Sequence, residues 1–249
     1  MRRVEEKPVA RKVADHEVWL SGALTEVDLR YTSAGTAVLL LTLAGEVDQE
    51  GFPRPYYLQV KLLKERAERW ADRLKRGTAV LARGVLTQYR SEGKTYTGIL
   101  VRELRLLDPG KVAYSEPDRK GNRREARALN RFLGTGLLVS QPEVRAVKDG
   151  HVARARVLFQ SGGEEGAVFI TLEAWDGAAL EVSDLSKGTP IFLEGRLKND
   201  SWTDREGNRR FELRVEASWV KPLARPIREE AQEEENLPPD DLPPDDLPF

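Results

Sequence analysis

Leu74-Lys75-Arg76-Gly77-Thr78-Ala79-Val80-Leu81-Ala82-Arg83-Gly84-Val85-Leu86 returns, loosely, as Leu185-Ser186-Lys187-Gly188-Thr189-Pro190-Ile191-Phe192-Leu193-Glu194-Gly195-Arg196-Leu197, 111 residues further on. Working outward, Gly93 and Val101 match Gly207 and Val215 at a separation of 114, so the second copy carries three extra residues in that hairpin. Towards the start of each copy, Leu29-Arg30 and Gly35 match Val144-Arg145 and Gly150 at 115. Solenoid repeats recur every 20–50 residues or so, and this period is far longer; it reads as a duplicated domain. The copies span residues 16–108 and 128–222. A flexible basic arm (1–15) precedes them, a connecting segment (109–127) joins them and an acidic tail (223–249) follows.

Each copy reads as a small β unit with one helix. In the first, Val18–Leu24, Ala37–Leu43, Tyr56–Leu62, Thr78–Leu86 and Thr95–Leu104 have strand composition. Between the third and fourth, over Glu65–Arg76, the residues Ala67, Trp70, Ala71 and Leu74 fall at i, i+3, i+4 and i+7, one apolar helical stripe that places Trp70 in the core. The second copy offers Val152–Phe159, Val168–Ala174, a shorter helix around Ala178–Leu185, then Thr189–Leu197 and Phe211–Trp219. Five strands with a helix between the third and fourth is the order of an OB-fold, a small barrel that binds oligonucleotides or oligosaccharides. The expected architecture is therefore all-β: two tandem five-stranded OB-fold barrels, each with one short helix, then a disordered acidic tail.

Side chains alternate across a strand, so a period of two separates core from open face. Val168, Ile170, Leu172 and Ala174 form a wholly apolar set, which leaves Phe169, Thr171, Glu173 and Trp175 on the other face. Leu58, Val60 and Leu62 likewise oppose Tyr57, Gln59 and Lys61, and Ala153, Ala155, Val157 and Phe159 oppose Arg154 and Arg156. Rings interleaved with cations suit a single strand of nucleic acid: bases stack at about 1–3 kcal/mol each while guanidinium groups follow phosphates. Trp202, in the polar hairpin Lys198–Arg210, is the strongest single stacking candidate, with Arg209 beside it; Tyr89 and Lys94 belong to the shorter hairpin of the first copy. Phe211 and Trp219, in phase with Leu213, Val215 and Ala217, are assigned to the core.

The net charge of −1 hides an asymmetry: from Pro226 to Phe249 nine carboxylates face one Arg, so the tail carries −8 and the rest of the chain +7. A cationic body with an anionic tail fits a polyanionic ligand and a segment kept clear of it. Cys is absent, which excludes disulfides, thiolate metal sites and catalytic thiols. The two histidines, His16 and His151, are isolated and read as ordinary residues. No apolar run approaches the roughly 18 residues of a membrane span, and Glu5 and Glu6 interrupt any signal-peptide pattern. The connecting segment holds Arg119, Lys120, Arg123 and Arg124. A solvated linker is the simpler reading of it, and phosphate contact the sharper one.

The chain closes with Asp-Asp-Leu-Pro twice and a terminal Phe, a composition that cannot build a core. A partner could bury the ring, pair with the terminal carboxylate and be steered by the aspartates. Asp245-Asp246-Leu247-Pro248-Phe249 resembles the tip of bacterial single-stranded-DNA-binding proteins. Lys187-Gly188-Thr189, Leu193-Glu194-Gly195-Arg196-Leu197, Trp202-Thr203-Asp204-Arg205-Glu206-Gly207, Pro142-Glu143-Val144-Arg145 and Leu29-Arg30-Tyr31-Thr32 resemble that family's barrel motifs. Two barrels in one chain is similar to the form of the Deinococcus–Thermus lineage, in which a homodimer presents four barrels.

The resemblance implies a cytoplasmic, nucleoid-associated protein without catalytic residues, metal or cofactor. It would coat single-stranded DNA in replication, recombination and repair. Through Asp245–Phe249 it would recruit helicases, exonucleases, recombination mediators and the clamp loader. Tyr57, Phe169, Trp175 and Trp202 fall at or near the family's base-stacking positions. Arg30, Tyr31, Lys61, Tyr89, Lys94, Arg154, Arg156 and Arg209 complete the expected strand-binding set. Three features depart from the pattern: Glu173 puts a negative charge on the expected DNA face, Leu63 stands where the second copy has Trp175, and the stretch before the tip is short and acidic. The alternatives are an RNA- or oligosaccharide-binding OB protein, the latter disfavoured by the +7 body, and a metal-dependent nuclease, for which no carboxylates cluster at a convincing spacing.

Overall fold

The structure, a computed structural model, describes residues 15–49, 51–91, 94–148, 150–160, 166–203, 207 and 209–223, with the backbone alone at 90, 91, 94, 202, 209 and 210. The arm before Asp15 and the tail from residue 224, including Asp245, Asp246, Leu247, Pro248 and Phe249, lie outside the described residues. Elements run in the order β1 (Asp15–Tyr31), β2 (Ala37–Gln49), β3 (Phe52–Leu63), α1 (Glu65–Ala71), β4 (Ala79–Ser91), β5 (Lys94–Leu106), β6 (Asn130–Leu138), β7 (Glu143–Val147), β8 (Gly150–Gln160), β9 (Ala167–Trp175), α2 (Asp176–Ser183), β10 (Pro190–Thr203) and β11 (Arg209–Pro222).

The pairings close two OB-fold barrels with the same circuit. In the first, β1 pairs β2, β2 pairs β3, β3 runs parallel to β5, and β5 returns through β4 to β1. In the second, β6 meets β8, β8 pairs β9, β9 runs parallel to β11, and β11 returns through β10 to β6. The first strand of the second copy was absent from the sequence reading. It is split: β6 and β7 together do the work of β1, with Ser140-Gln141-Pro142 at the break, where Pro142 offers no N–H to a ladder. The strip Asp15–Leu20 of β1 pairs antiparallel with Asn130–Thr135 of β6, so one sheet runs through both barrels.

Alternation holds where it was used. Leu58, Val60 and Leu62 are buried, as are Val168, Ile170, Leu172 and Ala174. The α1 helix ends at Ala71, five residues short of expectation, but its stripe survives. Ala67 and Leu74 are buried, Trp70 and Ala71 pack half-buried on the core, and the Arg73 guanidinium lies 4.8 Å from the Trp70 ring centre.

Phe211 and Trp219 require a correction, since they are 61% and 47% exposed. Between Glu194 and Gly195 the β10 strand advances one residue while β11 advances two, Trp219 lying opposite Glu194 and Ala217 opposite Gly195. That bulge at Ser218 reverses the alternation, turning Val220 inward and Trp219 outward, where its ring meets Phe192 edge-on at 5.5 Å. Phe211 stands near the hairpin end of the long β10–β11 ladder, opposite Ser201.

The barrels are locked by buried contacts. His16 stacks 5.9 Å from Phe132 and lies 5.4 Å from Phe159, and its Nε2 accepts the Leu86 N–H at 2.7 Å. Burial, opposed by the Leu86 hydrogen bond and the nearby Asp15 charge, pushes this imidazole's pKa below its ordinary value and favours the neutral acceptor. On β4, the Gln88 side chain accepts the Phe169 N–H at 3.0 Å and donates to the Phe169 carbonyl at 2.7 Å. It thereby supplies a one-residue strand partner where β9 has not yet met β11.

The connecting segment is not a merely solvated linker. Glu125 accepts the Glu46 N–H at 2.9 Å and donates its own to Ala44 at 3.1 Å, so the segment takes up the edge of β2. Arg124 pairs with Glu46 at 2.7 Å, both side chains less than one-fifth exposed.

Candidate nucleic-acid interface

The outer face of the first barrel is built from β1, β2 and β3. Cross-strand register places Glu26 beside Thr42 and Gln59, and Asp28 beside Leu40 and Lys61. Tyr57 lies on this face, 38% exposed, with its hydroxyl donating to Asp118 at 2.8 Å and accepting from Arg124 at 3.2 Å. Lys61 reaches from β3 to the β4–β5 hairpin, its ammonium 4.9 Å from the centre of the Tyr89 ring. Partial burial lowers the Lys61 pKa. Tyr89 stacks on Tyr96 across the hairpin at 5.4 Å and 19°. Tyr96 was missed in the sequence, although counting back across the hairpin from Gly93 would have paired the two tyrosines.

Arg30 is exposed, and its Nε donates to Asp28 at 2.6 Å. Tyr31, the next residue, turns to the opposite side of β1 and donates its hydroxyl to Glu68 of α1 at 3.2 Å. Tyr31 therefore does not join the rings around Tyr57. The Lys94 side chain lies outside the described residues.

In the second barrel, register sets Arg154 opposite Glu173, Arg156 opposite Thr171 and Leu158 opposite Phe169. Phe169 and Trp175 are each 40% exposed, as expected of rings on the open face. Glu173 between them is not a free negative charge on that face, because it is 1% exposed and surrounded by donors. Its carboxylate accepts Arg154 at 2.7 and 2.9 Å, Arg214 at 3.2 Å, the Trp175 indole N–H at 3.2 Å, and has the Lys198 ammonium at 3.5 Å. Burial pushes the Glu173 pKa up, but Lys198, Arg154 and Arg214 together pull it below the ordinary range. Glu212, which accepts the Thr171 hydroxyl at 2.6 Å and pairs with Arg214 at 2.7 Å, is lowered by the same kind of balance.

Trp202 and Arg209 lie on paired strands rather than in a polar loop, opposite Arg210 and Thr203 respectively; their side chains lie outside the described residues.

An open groove of about 1520 Å³ runs between the barrels and brings Tyr57 of the first to Trp175 and Phe211 of the second, with Arg54, Arg127 and Lys198 on its walls. Phe211 is thus a ring at the candidate site that sequence reasoning missed: it keeps its phase with Leu213 and Val215, but it stands towards the hairpin end of the ladder, where that face is open. Among the described residues no group of His, Asp or Glu side chains is arranged to hold a metal ion.

A model of the Single-strand binding protein family matches residues 15–106 and again 129–223, covering both barrels. The chain belongs to the single-strand binding protein family. The chain is 39% identical over 231 residues to the single-stranded DNA-binding protein of Thermus thermophilus, covering 87% of this chain and 85% of that one. With the Deinococcus radiodurans single-stranded DNA-binding protein it shares 34% over 229 residues, 84% and 76% of the two chains. The crystal structure of the wild-type single-stranded DNA binding protein from Thermus aquaticus superposes with a TM-score of 0.66 at 30% identity, covering 85% of this chain and 94% of that one. The two-barrel form suggested by the motifs is the form of this single-strand binding family member.

Proposed function

We propose that this chain binds single-stranded DNA without reading base order, using rings as stacking platforms and the cations beside them for phosphates. The observation that carries the reading is the groove that Tyr57 and Trp175, exposed rings from different barrels, line together with Arg54, Arg127 and Lys198. Rings on a polar face gain nothing from the core they turn away from, while each offers a base about 1–3 kcal/mol. The names of the relatives point the same way.

Titration with oligo-dT is expected to quench tryptophan fluorescence, and affinity should fall with salt at about −0.7 in log–log slope per neutralised phosphate. Tyr57→Ala and Trp175→Ala should each weaken binding roughly 5–150-fold, the equivalent of one lost stacking partner, with the urea midpoint nearly unchanged. Equal affinity for duplex and single strands would count against the reading. Competition by the matching RNA would move the assignment to RNA, since stacking alone does not test the 2′-hydroxyl.

The family and the tail support a wider role. A homodimer would coat single strands during replication, recombination and repair in the cytoplasm, and Asp245–Phe249 would recruit the processing enzymes. The acidic tip and lone terminal Phe support this as a small anchor on a charged lead. Removing Leu247–Phe249 should abolish capture of helicases and exonucleases while oligo-dT affinity stays equal or rises slightly. Unchanged capture would leave the tail as an acidic spacer. Light scattering during the titration reports the dimer. Among the described residues no helix is long and apolar enough to cross a membrane.

A further inference from the structure

The connecting segment carries a feature that the two barrels do not explain. Between Tyr114 and Glu125, which bridge to each other, the chain makes a tight turn built around one side chain. Asp118 Oδ1 accepts the N–H groups of Lys120 at 2.8 Å and Asn122 at 2.9 Å, and Oδ2 accepts the Asn122 amide at 3.0 Å and the Tyr57 hydroxyl at 2.8 Å. Gly121 supplies the positive φ of 75° that closes the turn. From the other side, Arg76 donates to the Lys120 carbonyl at 3.1 Å and to Asn122 Oδ1 at 2.6 Å. The turn is thus fastened to β3 through Tyr57 and to the approach of β4 through Arg76.

What this framework presents is charge. Arg119, Lys120 and Arg123 are exposed, and among the described residues none of the three has an acidic partner. Asp118, the acid inside the turn, is consumed by four hydrogen bonds. Arg119 and Lys120 border an open hollow of about 860 Å³ that Tyr57 and Glu26 also line, and Arg123 borders a second of about 440 Å³ that shares Thr25, Arg76 and Asn122 with it. A solvated linker has no need of a rigid tip, nor of a latch on a ring that the fold otherwise leaves exposed.

We infer that the connecting segment is a working part of the first barrel's strand-binding surface: Tyr57 stacks a base while Arg119, Lys120 and Arg123 hold neighbouring phosphates. The inference rests on the proposed function and deepens it, naming the phosphodiester backbone as the ligand of the turn. It also gives the first barrel a resource of its own. At the position where the second barrel places Trp175, the first has Leu63, and the turn adds Arg119 and Lys120 at the hollow that Tyr57 lines, with Arg123 on the adjoining one. Phe169, the counterpart of Tyr57 in strand register, is instead held through its backbone by Gln88.

The test uses the full chain with Arg119→Gln, Lys120→Gln and Arg123→Gln combined, leaving Asp118, Asn122 and Arg124 to build the turn. Oligo-dT affinity is measured across a salt series for wild type and variant. The variant is expected to bind about tenfold more weakly or worse at low salt, with a log–log slope shallower by about 2, near 0.7 for each lost phosphate contact. An unchanged slope overturns the inference, whichever way the affinity moves. In that case the proposed function still stands on the wild-type titration, whereas a wild type that ignores oligo-dT sinks both.

Discussion

Glu173→Ala should destabilise the protein by about 3 kcal/mol, read as a fall in the urea midpoint, because it removes the buried carboxylate that Arg154, Lys198 and Arg214 share. Arg214, its side chain only 14% exposed, keeps Glu212 at 2.7 Å and Asp200 at 2.9 Å, whereas Arg154 and Lys198 at 45% and 39% can turn to water. That division places the cost at the lower end of what breaking a buried ion pair brings. Folding lowers the Glu173 pKa, so its contribution is complete above the ordinary glutamate range and is lost as pH falls through the lowered value. Affinity should move in the opposite direction from stability. Glu173→Gln keeps an acceptor for Arg154 while removing the negative charge, and is expected to bind oligo-dT more tightly at low salt. An unaltered urea midpoint in Glu173→Ala would show that solvent replaces the carboxylate at no cost.

Gly195→Ala, with its counterpart Gly84→Ala, is the other change with a large expected effect. A Cβ on Gly195 would stand 2.9 Å from the Ala217 Cα and closer still to the Glu216 carbonyl oxygen, and on Gly84 it would stand 3.0 Å from the Val101 Cα and closer to the Leu100 carbonyl oxygen. Neither glycine has a positive φ, so close approach of the paired strand, not backbone conformation, demands the missing side chain. The obstructing atoms are backbone held in a ladder at a bulge, and they cannot swing aside as a side chain would. Each substitution is expected to cost about 3 kcal/mol or more, at or beyond the usual range for overpacking. Gly98→Ala, on β5 with open space around its Cβ position, should change the midpoint little and serves as the control. If Gly195→Ala melted like Gly98→Ala, the close approach would be absent in solution.

The duplication and its glycines connect these results to the sequence. Gly84 and Gly195 hold the same place in both copies, and that equivalence was visible at once; its cause lay in a bulged partner strand far along the chain. Conversely, β6 escaped detection because Gly134 and Gly136 break its strand composition. Side chains there would run into Phe159, with His16 and Val157 also in the way, at 2.7 to 2.8 Å. Propensity counts glycine against a strand, and here packing against β8 of the same barrel, and at Gly134 against His16 of the other, requires it. Trp219 failed because alternation predicts a face only while the ladder gains one residue for one, and Phe211 because an in-phase residue near a hairpin end can lie beyond the core.

The amino-acid order by itself determined the two copies, the five-strand circuit with its helix, the buried faces of β3 and β9, and the exposure of Tyr57, Phe169 and Trp175. Each of these depends on local periodicity, which a strand or helix expresses wherever it packs. Only the tertiary structure decided that Glu173 is a buried hub and not a repelling charge, that Gln88 completes the edge of β9, and that the connecting segment is latched onto Tyr57. Those outcomes depend on side chains tens of residues apart meeting at a few ångströms, and no pattern of near neighbours carries that information.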